Sequence, residues 1–271
     1  MIIFEAVGAG KKIDGVSILN DISLRISLGE KIAITGHNGS GKSSLLKLIG
    51  GIYESSTGQV KRAMSKTGYV PEHFPENIRF KMQEYLLLMG KMSGKSESEL
   101  MEKIHIYAEI FTIKEFLNVP LKNCSKGTKQ KAGIIQALLM DPQILLLDEP
   151  LTGLDEGTQY ELLNVLDTYK KEITIVFTAH ESLLIDGLAD RVITVANGRI
   201  IEDDKKEIKK KYKSIKAIIP NQSIALEIPS IQIHNLEANT IEMTVLNDHS
   251  DDVLTKLLQR GCSIVELKEK R

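Results

Sequence analysis

The sequence predicts an α/β fold built on a parallel sheet, with a helical insertion and a separate small α+β domain at the end. Three observations predict it. A short apolar run, residues 31–35 (KIAIT), leads into a glycine-rich segment and then into the helical pattern KSSLLKLIG, the order strand, loop, helix. Two further runs, residues 144–147 and 173–177, are apolar without alternation, which suits parallel strands covered on both faces. Between them, residues 158–169 place Leu162, Leu163, Val165 and Leu166 in one stripe, the mark of a crossover helix.

The remaining segments depart from that rhythm. Residues 80–138 are rich in Met, Leu and Lys at helical spacing and hold no convincing strand, which predicts a helical subdomain over about 78–140, inserted into a first domain of residues 1–204. Residues 205–216, KKEIKKKYKSIK, form a lysine-rich amphipathic stretch expected to be a charged helical linker, with the lysines on a solvated face. After it come β-like runs at 217–219, 224–228 and 241–245, a helix at 250–259 and a strand at 263–267. Residues 205–271 therefore read as a linker and a second, accessory domain.

Composition bounds the function. Hydrophobic residues at 42% and charged residues at 26% can build a large core and exclude disorder as the main state. With 35 basic and 36 acidic side chains, no bulk electrostatic pull toward nucleic acid or an anionic membrane arises, so no nucleic-acid partner is expected. The two cysteines, Cys124 and Cys262, lie in unlike contexts and suggest a reducing compartment. No window approaches 18 consecutive apolar residues, and the start, MIIFEAVGAGKK, lacks the order of a secretion signal. The expectation is a cytoplasmic chain that does not itself span a membrane.

The chemistry starts at Gly36, His37, Asn38, Gly39, Ser40, Gly41, Lys42 and Ser43, which fit GxxxxGK[ST] between a predicted strand and a predicted helix. Glycines let the backbone curl so that successive N–H groups face phosphate oxygens, and the helix that Ser44 helps to open adds its positive end. Lys42 is expected to reach the β and γ phosphates of ATP, and Ser43 to ligate Mg²⁺. Mg²⁺ also needs an acidic partner to hold its waters. Asp148, at the end of the apolar run 144–147, supplies one. Glu149 follows it and is placed to orient or deprotonate the attacking water.

With these residues in place, Cys124-Ser125-Lys126-Gly127-Thr128-Lys129-Gln130-Lys131, upstream of Asp148, resembles the LSGGQ signature of the ATP-binding cassette (ABC) ATPases. It keeps the serine and the second glycine and departs at Cys124, Lys126 and Thr128. Leu151-Thr152-Gly153-Leu154-Asp155 is similar to the family's D-loop, and His180 to its switch histidine. Gly68-Tyr69-Val70-Pro71-Glu72 looks like its Q-loop, with Glu72 where many members carry glutamine. Glutamate still offers an oxygen to Mg²⁺ but brings charge and no N–H donor. The tail is similar to the appendage of ABC-2-type exporter subunits.

The resemblance implies a phosphate-loop NTPase core with an antiparallel β subdomain beside the helical one, and ATP hydrolysis by Lys42, Glu149 and His180. It implies that Ser125, Gly127 and Asp155 serve the nucleotide of a second copy in a head-to-tail homodimer. It further implies a separate integral-membrane permease, gripped near the helical subdomain and Glu72, which would hold the chain at the inner face of the cell membrane. Aligning residues 18–22 with the family puts Ile13 where members commonly stack an aromatic side chain on adenine; no aromatic residue lies between Phe4 and the loop. A soluble ABC ATPase acting in assembly or remodelling is the competing reading. A non-catalytic scaffold is disfavoured because Lys42, Glu149 and His180 are intact.

Overall fold

The computed structural model describes residues 1–63, 66–168, 173–180, 182–206, 212–220, 232–237, 239–246 and 250–270. The chain divides into two compact units, Met1–Lys206 and Glu207–Arg271.

The first unit opens with strands β1 (Ile2–Ile13) and β2 (Val16–Ser27), which form an antiparallel hairpin. Its turn, Asp14-Gly15, has φ of 48° and 80°, the two positive values that a tight twisted hairpin needs. After β3 (Lys31–Thr35), helix α1 (Lys42–Ile49) follows, and β4 (Thr57–Arg62) then pairs with β1 to complete a three-stranded sheet in the order β2-β1-β4. This is the antiparallel β subdomain that the resemblance implies.

The larger sheet has six strands in the order β5-β6-β7-β3-β8-β9. Its members are β3, β5 (Thr67–Val70), β6 (Ile144–Leu147), β7 (Thr174–Thr178), β8 (Arg191–Ala196) and β9 (Arg199–Lys205). Neighbours are parallel except β8 and β9, which form a hairpin around Asn197-Gly198. Because side chains alternate across a strand, each central strand feeds two cores. Ile32, Ile34, Ile144, Leu146, Val176 and Ile193 face α1 and the β1–β2 hairpin. Ala33, Leu145, Leu147, Ile175 and Phe177 face the helices on the other side.

Those helices are α2 (Met82–Lys91), α3 (Glu97–Ile110), α4 (Lys126–Leu139), α5 (Glu156–Thr168) and α6 (Ser182–Leu188). The first three form the inserted helical subdomain. Helix α3 starts at a capping box in which Ser96 Oγ accepts the Glu99 N–H and Glu99 reaches back to Ser96. Helix α4 begins six residues before the apolar pattern at Ala132, because Ser125 caps it: Ser125 Oγ accepts the Thr128 N–H at 3.1 Å.

The second unit corrects one expectation. The lysine-rich stretch is not a helical linker where it is described: Lys205 ends β9, and β10 (Tyr212–Ile218) is an inner strand of a four-stranded sheet ordered β11-β12-β10-β13. The physical reason is a period of two. Ile215, Ala217 and Ile219 point inward while Lys216 and Ile218 point out, and across the ladder Lys216 is flanked by Glu242 and Glu266, which suits an exposed charged face. Residues 207–211 of that stretch and the expected strand at 224–228 lie outside the described residues. Strand β11 (Gln232–Glu237) is an addition, whereas β12 (Thr240–Leu246), α7 (Ser250–Gln259) and β13 (Ser263–Lys270) occupy the expected regions. Val253 and Leu257 of α7 pack on Ile215, Ile241 and Met243 in a core of their own.

Candidate active site

The strand order β6-β7-β3 brings three carboxyl-terminal strand ends side by side, the edge at which α/β sheets present ligand sites. The glycine-rich loop leaves β3, Asp148 and Glu149 follow β6, and His180 follows β7. The loop curls tightly. At Gly36, φ is +140° and a Cβ would lie 2.2 Å from the Val195 carbonyl oxygen, so no side chain fits there.

Lys42 is the first residue of α1 and is buried, yet its ammonium is well partnered. It donates to the Gly36 carbonyl at 3.0 Å and the His37 carbonyl at 3.4 Å, inside the curl where phosphate oxygens are expected. Ser43 donates to Asp148 Oδ1 at 2.9 Å. That oxygen also receives the Thr178 hydroxyl at 2.8 Å, and the Tyr69 hydroxyl donates to Oδ2 at 3.4 Å. Burial, and then the neighbouring Asp148 charge, push the Tyr69 phenol well above its ordinary pKa, so it stays a donor.

Glu149 takes a left-handed backbone with φ of 47°, unusual for a residue other than glycine, and its N–H donates to Thr178 Oγ1 at 2.8 Å. Its carboxylate Oε1 lies 3.1 Å from His180 Nε2 and 3.9 Å from Lys42 Nζ. The same imidazole nitrogen lies 3.1 Å from Lys42 Nζ and 3.1 Å from Asn38 Oδ1. It can accept from Lys42 in one tautomer, or donate to Glu149 or Asn38 in the other.

Asn38, Gly39, Gly41, Lys42, Ser43, Ser44, Glu72, Glu149 and His180 line one cavity of about 540 Å³, together with Ile18 and Thr152. Asp148 sits just behind it, bonded to Ser43. His37 turns back on the loop, its Nδ1 against the Asn38 carbonyl, and Ser40 is buried beneath, with its N–H given to the His37 carbonyl at 3.1 Å. Ile13 is not in the lining; it sits at the β1–β2 turn, 37% exposed. Ser125, Gly127 and Asp155 also lie outside the lining. Asp155 accepts the N–H and hydroxyl of Thr158 at the start of α5, and Gly127 packs so closely on the D-loop that a Cβ would be 2.8 Å from the Gly153 carbonyl oxygen.

The donor set fits a nucleotide that brings its own metal. Among the described residues no group of three or more His, Cys, Asp and Glu side chains could hold an ion alone. Mg²⁺ characteristically takes one or two protein oxygens and completes its shell with phosphate and water. The Ser43–Asp148 pair offers such oxygens, with Glu72 at the cavity wall. Glu72 stays near its sequence neighbour, 3.7 Å from His73 Nε2.

A family model described as ABC transporter matches residues 19–152. An uncharacterised ABC transporter ATP-binding protein of Methanocaldococcus jannaschii is 31% identical over 214 residues, covering 78% of this chain and 81% of that protein. The chain belongs to the ABC transporter family. It is an ABC ATPase subunit. The methionine import ATP-binding protein MetN of Clostridioides difficile is 30% identical over 230 residues, covering 78% of this chain and 72% of that one. Among solved structures, an ATP-binding subunit of an ABC transporter matches with a TM-score of 0.69 and 26% identity, over 75% of this chain and 90% of that chain.

Within this ABC cassette, three residues to which no motif assigns a role touch the site. Ile18 follows from no motif, although it stands next to Leu19, where the family match begins. Tyr69 is one strand residue before the Q-loop turn, and Thr178 ends the apolar run that precedes His180. A polar residue closing a buried strand at the sheet's carboxyl edge is the signal that could have found Thr178.

Proposed function

We propose that this chain is the ATP-hydrolysing motor of a transporter, an exporter, closing as a head-to-tail homodimer on a separate permease at the inner face of the cell membrane. One observation carries the dimer. The cavity that holds Lys42, Ser43 and Glu149 has no contribution from Ser125, Gly127 or Asp155 of the same chain, so those groups are left to serve another copy.

In that reading the N–H groups of the loop and Lys42 hold the phosphates, Ser43 and Asp148 hold Mg²⁺ with Glu72 alongside, and Glu149 takes the proton of the attacking water. Mg²⁺, when bound with ATP, supplies positive charge to the phosphate oxygens. His180 donates a hydrogen bond from Nε2 once Lys42 turns to phosphate, and Ser125 with the Gly127 N–H meets the γ-phosphate held by the partner, where the α4 N-terminus favours an anion.

The permease reading is supported by a groove of about 540 Å³ between α3 and α5, lined by Ile106, Tyr107, Ile110 and Val165. Ile106 is 50% exposed and Ile110 39%. An exposed apolar face of this kind suits a protein segment. The exporter reading rests on the resemblance of the tail. Purification from native membranes tests the assignment: a polytopic membrane protein should accompany the chain and be lost in Ile106→Asp without loss of ATP binding. A chain recovered alone from solubilised membranes, and unchanged by Ile106→Asp, would favour a soluble ATPase.

A further inference from the structure

We propose that Thr178 is a positioning residue for hydrolysis, one hydroxyl that sets the geometry of both acidic groups at once. Thr178 is fully buried at the end of β7. Its Oγ accepts the Glu149 N–H at 2.8 Å and donates to Asp148 Oδ1 at 2.8 Å. A hydroxyl has one proton to give and two lone pairs, so both bonds are made by the same group without conflict. The inference rests on the assignment of Asp148 and Glu149 above.

Each bond has a separate consequence. The bond to Asp148 leaves Oδ1 shared between Thr178 and Ser43, whose hydroxyl donates at 2.9 Å, so Thr178 holds the carboxylate in line with Ser43 when the Ser43 oxygen is drawn to a cation. The bond from Glu149 fixes an N–H that no strand pairing satisfies, in a residue whose φ of 47° is disfavoured for a side chain of that size. Without that acceptor the buried N–H loses the bond that Thr178 gives it, and the left-handed turn loses that anchor. The Glu149 carboxylate, carried on that turn, then leaves the position 3.1 Å from His180. Because β7 also leads directly into Ala179 and His180, one strand end registers the cation-holding acid, the base and the histidine against each other.

The test compares Thr178→Val, which keeps the shape and removes the hydroxyl, with Thr178→Ser, which keeps the hydroxyl and removes the methyl. Binding of a fluorescent ATP analogue is measured in EDTA and in Mg²⁺, beside kcat and KM for ATP. In T178V the affinity in EDTA stays within about twofold of the parent and the gain on adding Mg²⁺ shrinks. Its kcat falls about tenfold or more, a barrier change of about 1.4 kcal/mol. T178S stays close to the parent in all three. In a Glu149→Gln background, T178V costs little further hydrolysis, because the base through which it acts is already gone. The proposal is overturned if T178V keeps both the parental kcat and the parental Mg²⁺ gain. It is equally overturned if T178S loses as much hydrolysis as T178V, since packing of the methyl would then be the cause. Loss of ATP binding by Lys42→Ala, with Thr178 untouched, separates failure of this inference from failure of the site assignment: parental binding in Lys42→Ala would sink the assignment itself.

Discussion

Replacing Glu149 by glutamine removes one negative charge from the cavity and leaves its volume almost unchanged. The ion pair that it breaks is well shielded, with Lys42 and Glu149 side chains 7% and 11% exposed at a separation of 3.9 Å. At that separation two unit charges in a medium of effective dielectric about 20 interact by about 4 kcal/mol, an upper bound that water entering the open cavity reduces. Glutamine leaves Lys42 without that anionic neighbour, so ATP binding is retained or tightened. Hydrolysis moves the other way. A positioned base contributes about 10²- to 10⁴-fold, which at about 1.36 kcal/mol per tenfold is about 3 to 5 kcal/mol of barrier. Phosphate-release kinetics measure the second effect and equilibrium binding the first, while light scattering after size exclusion follows accumulation of an ATP-bound dimer. Hydrolysis at the parental rate would refute the role given to Glu149. A tenfold loss of ATP affinity would refute the charge argument.

Three further outcomes are expected. Tyr69 has its pKa raised by burial and by Asp148, so the folded state holds that proton more tightly; this contribution is complete below the ordinary tyrosine value of 10.0 and is lost as pH rises above it. Thermal unfolding of the parent should therefore weaken more between pH 9 and pH 11 than that of Tyr69→Phe, and equal slopes would contradict this. Truncation after Lys206 should leave a folded chain that binds ATP, as the first unit holds every cavity residue; circular dichroism and nucleotide binding check it. Competition binding should show weak discrimination between ATP and GTP, since the apolar lining is Ile18 and, among the described residues, no aromatic ring lines the cavity. An aromatic at Ile18 should tighten ATP binding more than one at Ile13, by up to about 1 to 3 kcal/mol if it stacks.

How much of this could be read in advance depended on how local the cause was. The strand, loop and helix around Lys42 were legible because KIAIT, the glycines and the stripe after Lys42 each act over a few residues. The ends of β6 and β7 were legible for the same reason. Strand β10 was not: the lysines of residues 209–213 obscure the alternation of Ile215, Ala217 and Ile219, which matters only once β12 and β13 arrive from far along the chain. The β8–β9 hairpin carries a strong local signal outside every motif, Asn197-Gly198, with φ of 50° and 72°. In the site, residue types led to Lys42, Ser43, Asp148, Glu149 and His180. They did not lead to Thr178, whose place comes from which strand ends happen to be neighbours, nor to Ile18, and the alignment put Ile13 at the base although it lies outside the cavity lining.

The absence of a side chain at Gly127 has a mechanical consequence. The Gly153 carbonyl fills the space that a Cβ would need, 2.8 Å away, so the first turn of α4 rests directly on the loop that runs from Glu149 to Asp155. Neither can slide without pushing the other. In the head-to-tail pair proposed above, a shift that begins at Glu149 would travel six residues of chain to Asp155 and, through the close approach of Gly153 to Gly127, to the start of α4 beside Ser125. Both of those ends would there face the neighbour's nucleotide. Each copy would then report its own spent fuel to the other, and a lesion in one would be felt as a stall in both.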